Sequence, residues 1–209
     1  MTADRAPLPW RDGEGPIPGR LVDEPLGRFL DRLAARQPAP GGGAAAAMAV
    51  AMAASLTSMA ARFSCDGLRD ETDTVSRVEM LRMRVVPLAQ ADGEAYSQFL
   101  AALRLPEGPD PRVRRTAVRL ARDRAAEVPL TVAELGADVA ALAAQIAESG
   151  NPRLRGDALT AALLAEAGAR AAAGLVEVNV GKADPRSRHA AEMAEQAARA
   201  ARRAAAAGA

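Results

Sequence analysis

AAAAMAVAMAASLTSMAA, residues 44–61, is the stretch on which the reading of this chain turns. It carries no charge and is mostly Ala, the strongest helix former. Its length reaches that of a transmembrane candidate. Ala is only weakly apolar, however, and Ser55, Thr57 and Ser58 interrupt the run, so a helix buried on all sides in a bundle or dimer fits better than a membrane span. Met48, Met52 and Met59 fall at helical spacing and read as core packing.

Helical patterns continue on both sides. Upstream, Leu26, Phe29, Leu30 and Leu33 recur every three or four residues from about Pro25. That pattern stops before Gln37-Pro38-Ala39-Pro40, where proline removes donors and pushes the preceding residues out of helix. Downstream, Val75, Val78, Leu81, Val85, Leu88, Tyr96, Phe99 and Leu103 make a long amphipathic pattern over residues 70–104, kinked or divided at Pro87. The Leu105-to-Pro111 stretch, rich in Pro and Gly, is a break. Residues 112–127 form a basic helix, and Pro129 opens or bends the next, which ends at Ser149-Gly150-Asn151-Pro152. Residues 157–180 make an apolar helix closed by Gly181, and an Ala-rich helix follows Asp184-Pro185. Only residues 175–180 are rich in strand-forming types. The sum is an all-α bundle of about six helices. Residues 1–20, rich in Pro and Gly without an apolar stretch, read as a flexible lead-in, and residues 21–209 as a single domain.

Composition narrows the function. A net charge of +1 over 209 residues gives no global field toward nucleic acid or membrane. One Cys, Cys65, excludes an internal disulfide framework and suits an intracellular, cytoplasmic setting. With one His, His189, the usual zinc ligand sets cannot be assembled, and no metal site is expected. Proton transfers in an enzyme of this composition fall to Asp or Glu, assisted by Lys, Tyr or Arg.

Four places can carry chemistry. Pro40 and Gly41, Gly42 and Gly43 open the Ala-rich helix with unobstructed N–H groups and the positive end of its dipole, which can hold an anion; the same turn also reads as close helix packing. Asp92 and Tyr96, four apart, share a helix face, either around a ligand or as a solvated Asp beside a core Tyr. Asn151, Arg153, Arg155 and Asp157 gather at a helix start, where Asp157 is either a cap or first-turn residue or a site carboxylate. Asn179, polar between Val178 and Val180, is a cap or a ligand contact. Arg112, Arg114, Arg115, Arg119, Arg122 and Arg124 lack interleaved aromatics, so a solvated face is expected rather than nucleic-acid binding.

The order of these motifs resembles the formiminotetrahydrofolate cyclodeaminase and methenyltetrahydrofolate cyclohydrolase family, which includes the C-terminal domain of formiminotransferase-cyclodeaminase. The resemblance runs from about Leu26 to Gly181. It rests on the helix around Leu26-Gly27-Arg28-Phe29-Leu30, on Pro38-Ala39-Pro40-Gly41-Gly42-Gly43 and on Asp92-Gly93-Glu94-Ala95-Tyr96 followed by Leu105-Pro106. Gly156-Asp157-Ala158 and Val178-Asn179-Val180 complete it. The family usually has Ser where Ala44 stands and often Lys where Glu107 stands. A commonly Lys-rich stretch is here Ser64-Cys65-Asp66-Gly67-Leu68-Arg69.

The resemblance implies a folate one-carbon enzyme acting on a reduced folate, first as a cyclodeaminase giving 5,10-methenyltetrahydrofolate and ammonia. Alternatives are the cyclohydrolase reaction, which opens that product to 10-formyltetrahydrofolate, and a non-catalytic folate-binding or helical interaction protein. Both reactions pass through a tetrahedral carbon between two nitrogens and need an acid and a base but no cofactor. Asp92 or Asp157 then serves as the acid/base, with the other orienting the pterin or the leaving nitrogen. Gly41, Gly42 and Gly43 admit the pterin or a folate carboxylate, and Arg104 or a basic-helix Arg takes the glutamate tail. A homodimer, with residues 44–61 near the subunit contact, is also implied.

Overall fold

The structure, a computed structural model, describes residues 21–64, 71–106 and 110–207. The lead-in read over residues 1–20, Cys65 and its neighbours to 69, and Glu107 lie outside the described residues. A 3₁₀ turn, Leu21–Asp23, precedes α1 (Leu26–Ala34), α2 (Gly42–Arg62), α3 (Glu71–Val85) and α4 (Leu88–Leu103). Then come α5 (Pro111–Ser149), a second 3₁₀ turn (Pro152–Leu154), α6 (Arg155–Val180) and α7 (Pro185–Ala206). The fold is all-α, with no strand among the described residues.

The prolines act in two different ways. Pro87 divides the long pattern into α3 and α4. Pro129 does not break its helix; it lies inside α5, so two expected segments are one helix of 39 residues. Proline cannot donate to the carbonyl four residues back. Here that carbonyl, Ala125 O, accepts instead from Asn179 Nδ2 on α6 at 2.8 Å. Residues 175–180 are also helical, since Val176 is buried in the bundle and no breaker intervenes before Gly181. Gly181 ends α6 at φ 87°, a conformation glycine adopts without strain.

Three helical starts use one device. Asp110, Asn151 and Asp184 each precede a proline and accept, through Oδ1, the N–H two residues on, from Arg112 (2.8 Å), Arg153 (3.0 Å) and Arg186 (2.9 Å). Proline at the first position costs nothing there, because its missing donor has no helical acceptor.

At the centre, α2 packs against α3, α4, α5 and α6. Its inward face is almost entirely Ala, with Val50 as a larger anchor. Small side chains allow α5 and α6 to come close: Gly136 and Gly168 both lie against Val50, and Gly168 also faces the Ala46 carbonyl. α6 runs antiparallel to α2, with Gly168 beside Val50 and Leu175 beside Gly42. α5 runs parallel to α2, from Gly136 beside Val50 to Gly150 beside Ser64. α3 is tied back to α2 through Glu79, which accepts from Ser58 Oγ (2.6 Å), Arg62 (3.2 Å) and Arg82 (2.9 Å). These donors pull the Glu79 carboxyl down to about 2. By length and composition, α2, α5 and α6 are each apolar enough to cross a membrane. In the bundle, α2 and α5 turn most of that surface inward, whereas α6 leaves more of it uncovered.

A methyl at Gly168 would stand 2.9 Å from the Ala46 carbonyl oxygen and 2.5 Å from Val50 Cγ2. Gly168→Ala is therefore expected to lower stability by about 1–3 kcal/mol, the usual cost of overpacking. Urea unfolding checks this, with Gly27→Ala, which lies inside α1 and meets nothing within 4 Å, expected to keep or slightly raise the wild-type midpoint.

Candidate active site

The first amides of a helix have no partner within it. In α2, Gly41 is the cap and Gly42 and Gly43 form the first turn. The next amide, Ala44 N–H, donates to Asp92 Oδ2 of α4 at 3.1 Å. The anion held by this glycine-opened helix is thus the protein's own carboxylate. Glycine is required at position 43, because a Cβ there would fall on the Asp92 carboxylate. α4 rests on the preceding loop at Gly93, where a Cβ would stand 3.5 Å from Ala39 Cβ, an ordinary van der Waals contact. Pro40 is buried behind a cis Ala39–Pro40 peptide. Ala44 is fully buried. The bond it makes to Asp92 is a backbone bond, so having Ala where the family usually has Ser leaves it intact.

Burial pushes the Asp92 carboxyl above the ordinary aspartate range, outweighing the opposing pull of the Ala44 amide. Its Oδ1 makes no hydrogen bond among the described residues. A carboxylate anchored through one oxygen, with a raised pKa and the other oxygen unengaged, is equipped to take and return a proton. The same shift sets a sign for stability. A folded pKa above the unfolded one gives stability that is complete below the unfolded pKa and lost as pH rises through the folded value. At neutral pH the ionised Asp92 is therefore a cost. Asp92→Asn, which keeps an acceptor for Ala44 N–H, is expected to raise Tm at pH 7 and to lose that advantage below the ordinary aspartate pKa. A Tm lowered at pH 7 would contradict this.

The other candidates divide between two ends of the bundle. Tyr96, one turn along α4 from Asp92, is 40% exposed, with its ring tilted against Phe99 at a centroid distance of 6.5 Å. The carboxylate is thus the sheltered member of the pair and the phenol the exposed one, the reverse of a solvated Asp beside a core Tyr. Arg104 caps the C-terminus of α4 and is exposed, about 18 Å along the helix from Asp92. Asn179 belongs to the Gly42 end of α6, but its amide N–H is committed to Ala125 O.

Asn151 and Asp157 lie at the opposite end. Asn151 Nδ2 donates to the Phe63 carbonyl (3.0 Å), its Oδ1 accepts from Arg153 N–H, and its own amide donates to Ser64 Oγ (2.9 Å). Asp157 is half-buried in the first turn of α6, where the helix dipole favours a carboxylate. Leu175 is beside Gly42, and the run from Asp157 to Leu175 spans about 27 Å of helix. One chain therefore does not bring Asp92 and Asp157 into a common cleft, as the sequence reading assumed. The antiparallel packing of α6 on α2 is the cause. Leu175 was missed as a wall of the glycine turn; its place one turn before Asn179 was the available signal.

Of the basic helix, Arg112, Arg115, Arg119, Arg122 and Arg124 are exposed, and Arg114 is bound to the Leu103 and Leu105 carbonyls. Among the described residues, no three His, Cys, Asp or Glu side chains are placed to hold a metal ion.

The sequence model of formiminotransferase-cyclodeaminase matches residues 25–204. The chain belongs to this family. It is 34% identical over 173 residues to a methenyltetrahydrofolate cyclohydrolase of Methylorubrum extorquens, an alignment covering 79% of this chain and 83% of that protein. It is 30% identical over 155 residues to the formimidoyltransferase-cyclodeaminase of Gallus gallus, covering 70% of this chain but only 29% of that longer protein. Its fold matches the crystal structure of formiminotetrahydrofolate cyclodeaminase from Thermotoga maritima with a TM-score of 0.79 at 26% identity, covering 90% of this chain and 96% of that one. Within the family, the glycine turn and Asp92 are the part of this chain whose geometry offers acid–base chemistry.

Proposed function

We propose that the chain is a methenyltetrahydrofolate cyclohydrolase with Asp92 as its acid/base. The observation that carries the reading is the sheltered Asp92 carboxylate on the first turn of α2, with its pKa raised by burial. The carbon to be hydrated sits between two nitrogens and shares their positive charge, so a nearby carboxylate favours its binding. Water adds to that carbon while Asp92 accepts its proton. The resulting carbinol loses its hydroxyl proton as one C–N bond breaks, and the departing nitrogen takes a proton from the carboxyl. The product is the formyl compound, with one proton released overall, and no cofactor takes part. Similarity along most of a cyclohydrolase's length favours this reaction over the cyclodeamination put first by the sequence reading. The second reading, cyclodeaminase, is favoured by the likeness to the Thermotoga maritima fold and differs in which group leaves the same tetrahedral carbon.

Loss of the near-ultraviolet absorbance of methenyltetrahydrofolate measures the first activity, and ammonia release from formiminotetrahydrofolate the second. Asp92→Asn is expected to lower kcat about 10²- to 10⁴-fold, the usual contribution of a general acid–base group. Gly43→Ala, which displaces the carboxylate, should show a loss of similar size. Raised Asp92 predicts that activity falls on the acid side at a pH above the ordinary aspartate value, because the base must be ionised. Undiminished turnover by Asp92→Asn removes the reading.

We also propose a homodimer through the outer face of α2 and α6. Met52 (49% exposed), Leu163 (49%) and Val178 (80%) stand out of this face among Ala45, Ala49, Ala167, Ala171 and Gly174. A twofold contact sets the same patch against itself. Because α2 and α6 are antiparallel, a twofold near their midpoints would carry the partner's Asp157 toward Gly41, Gly42, Gly43 and Asp92. Two aspartates far apart in one chain would then serve one site. Mixing Asp92→Asn with Asp157→Asn, each inactive alone, should restore about a quarter of wild-type activity, since half the dimers are then mixed and each has one intact site of two. A mixture that stays inactive, or a monomer by light scattering, defeats the shared site.

A further inference from the structure

A groove of about 540 Å³ opens between α3, α5 and α7, on helices other than those that build the Asp92 turn. Its volume is within the range of small-molecule sites. Leu81 and Leu142 form a buried floor, flanked by Met80 and Ala141. Arg77 and Arg84 stand on the α3 wall two turns apart, about 10 Å along the helix.

Arg32, Arg62, Arg82, Arg186 and Arg203 each meet a carboxylate at salt-bridge distance. Arg77 and Arg84 meet none among the described residues. Other surface arginines, Arg115 and Arg188 among them, also meet no carboxylate among the described residues; Arg77 and Arg84 differ in flanking a groove with an apolar floor. α3 begins near the end of α2 and α5 runs parallel to α2, so Arg77 stands toward Gln145 and Arg84 toward Asp138. Arg203, at the Gln145 end, is engaged by Glu148 through Nε (2.8 Å) and Nη2 (3.1 Å). Asp138 is the one carboxylate lining the groove. Arginine on an apolar floor, with its charge uncompensated, matches an anion carrying an apolar body. The guanidinium offers a forked set of donors to a carboxylate, and the leucine floor accepts the body.

We propose that this groove is a second binding site, for a small organic carboxylate with an apolar body. Arg77 and Arg84 hold the carboxylate, Leu81 and Leu142 carry the apolar part, and Asp138 weakens the fit for a purely anionic ligand. The proposal does not depend on the reaction assigned to Asp92.

Titration calorimetry of the full chain with 1-naphthoate tests it. Naphthoate should bind at one saturable site, while inorganic phosphate and 1-naphthalenemethanol, which carry the charge or the ring alone, should bind at least about tenfold more weakly. Arg77→Gln and Arg84→Gln should each weaken naphthoate about tenfold, the worth of a charged hydrogen bond. Asp138→Asn should tighten it, and Asp92→Asn should leave it unchanged. Both arginines are exposed and meet no partner among the described residues, so helicity by circular dichroism should stay at the wild-type level. The proposal is overturned by absence of saturable naphthoate binding, by equal binding of phosphate, by wild-type affinity in both arginine variants, or by weakening in Asp138→Asn. Loss of binding in Asp92→Asn would move the ligand to the glycine turn and overturn it as well.

Discussion

The carboxylate of Asp92 stands on the first turn of α2, and two features of the chain follow from keeping it there. Position 43 must lack a side chain, and α4 must lie close enough to deliver the group. Gly43 meets the first need and the packing of α4 on α2 the second. The helix end supplies a donor and a favourable dipole, while the neighbouring chain removes water. These effects oppose each other, and burial wins, so the group retains affinity for a proton instead of settling as a permanently ionised cap.

Close approach of the helices rests on residue size. α2 could not sit among four other helices with longer side chains on its inward face. Gly136 and Gly168 bring α5 and α6 against Val50, where a single added methyl has no room. The arrangement sets the polarity of the bundle. Because α6 returns antiparallel along α2, the segment bearing Asn151 and Asp157 meets the Phe63 and Ser64 end, and the glycine turn is left to Leu175 and Asn179.

Much of this was legible in the residues. Alanine content and the three-to-four spacing gave the helices, and the residues singled out, Gly41, Gly42, Gly43 and Asp92, include two, Gly43 and Asp92, that the fold sets side by side. What was not legible was long-range. Local rules make Pro129 a boundary, yet α5 continues because Asn179, fifty-four residues beyond Ala125, supplies the Ala125 carbonyl with a donor. Residues 175–180, in contrast, read as the end of an apolar helix despite their strand-forming types, and they are helical, with Val176 buried in the bundle. The distance between Asp92 and Asp157 depends on the direction in which α6 packs, which periodicity does not encode. That Arg77 and Arg84 flank one groove and meet no carboxylate among the described residues is visible only in three dimensions.

An interior made mostly of alanine also governs how the molecule yields to disturbance. Alanine has no rotamers to exchange, so a crowded contact cannot be relieved by swinging a side chain aside. The remaining freedom is for entire helices to slide or tilt. A disturbance beside Val50 is therefore passed along α2 as the displacement of a rigid rod, felt at both Ala44 and Phe63. Distant core positions can in this way alter chemistry at the glycine turn without touching it.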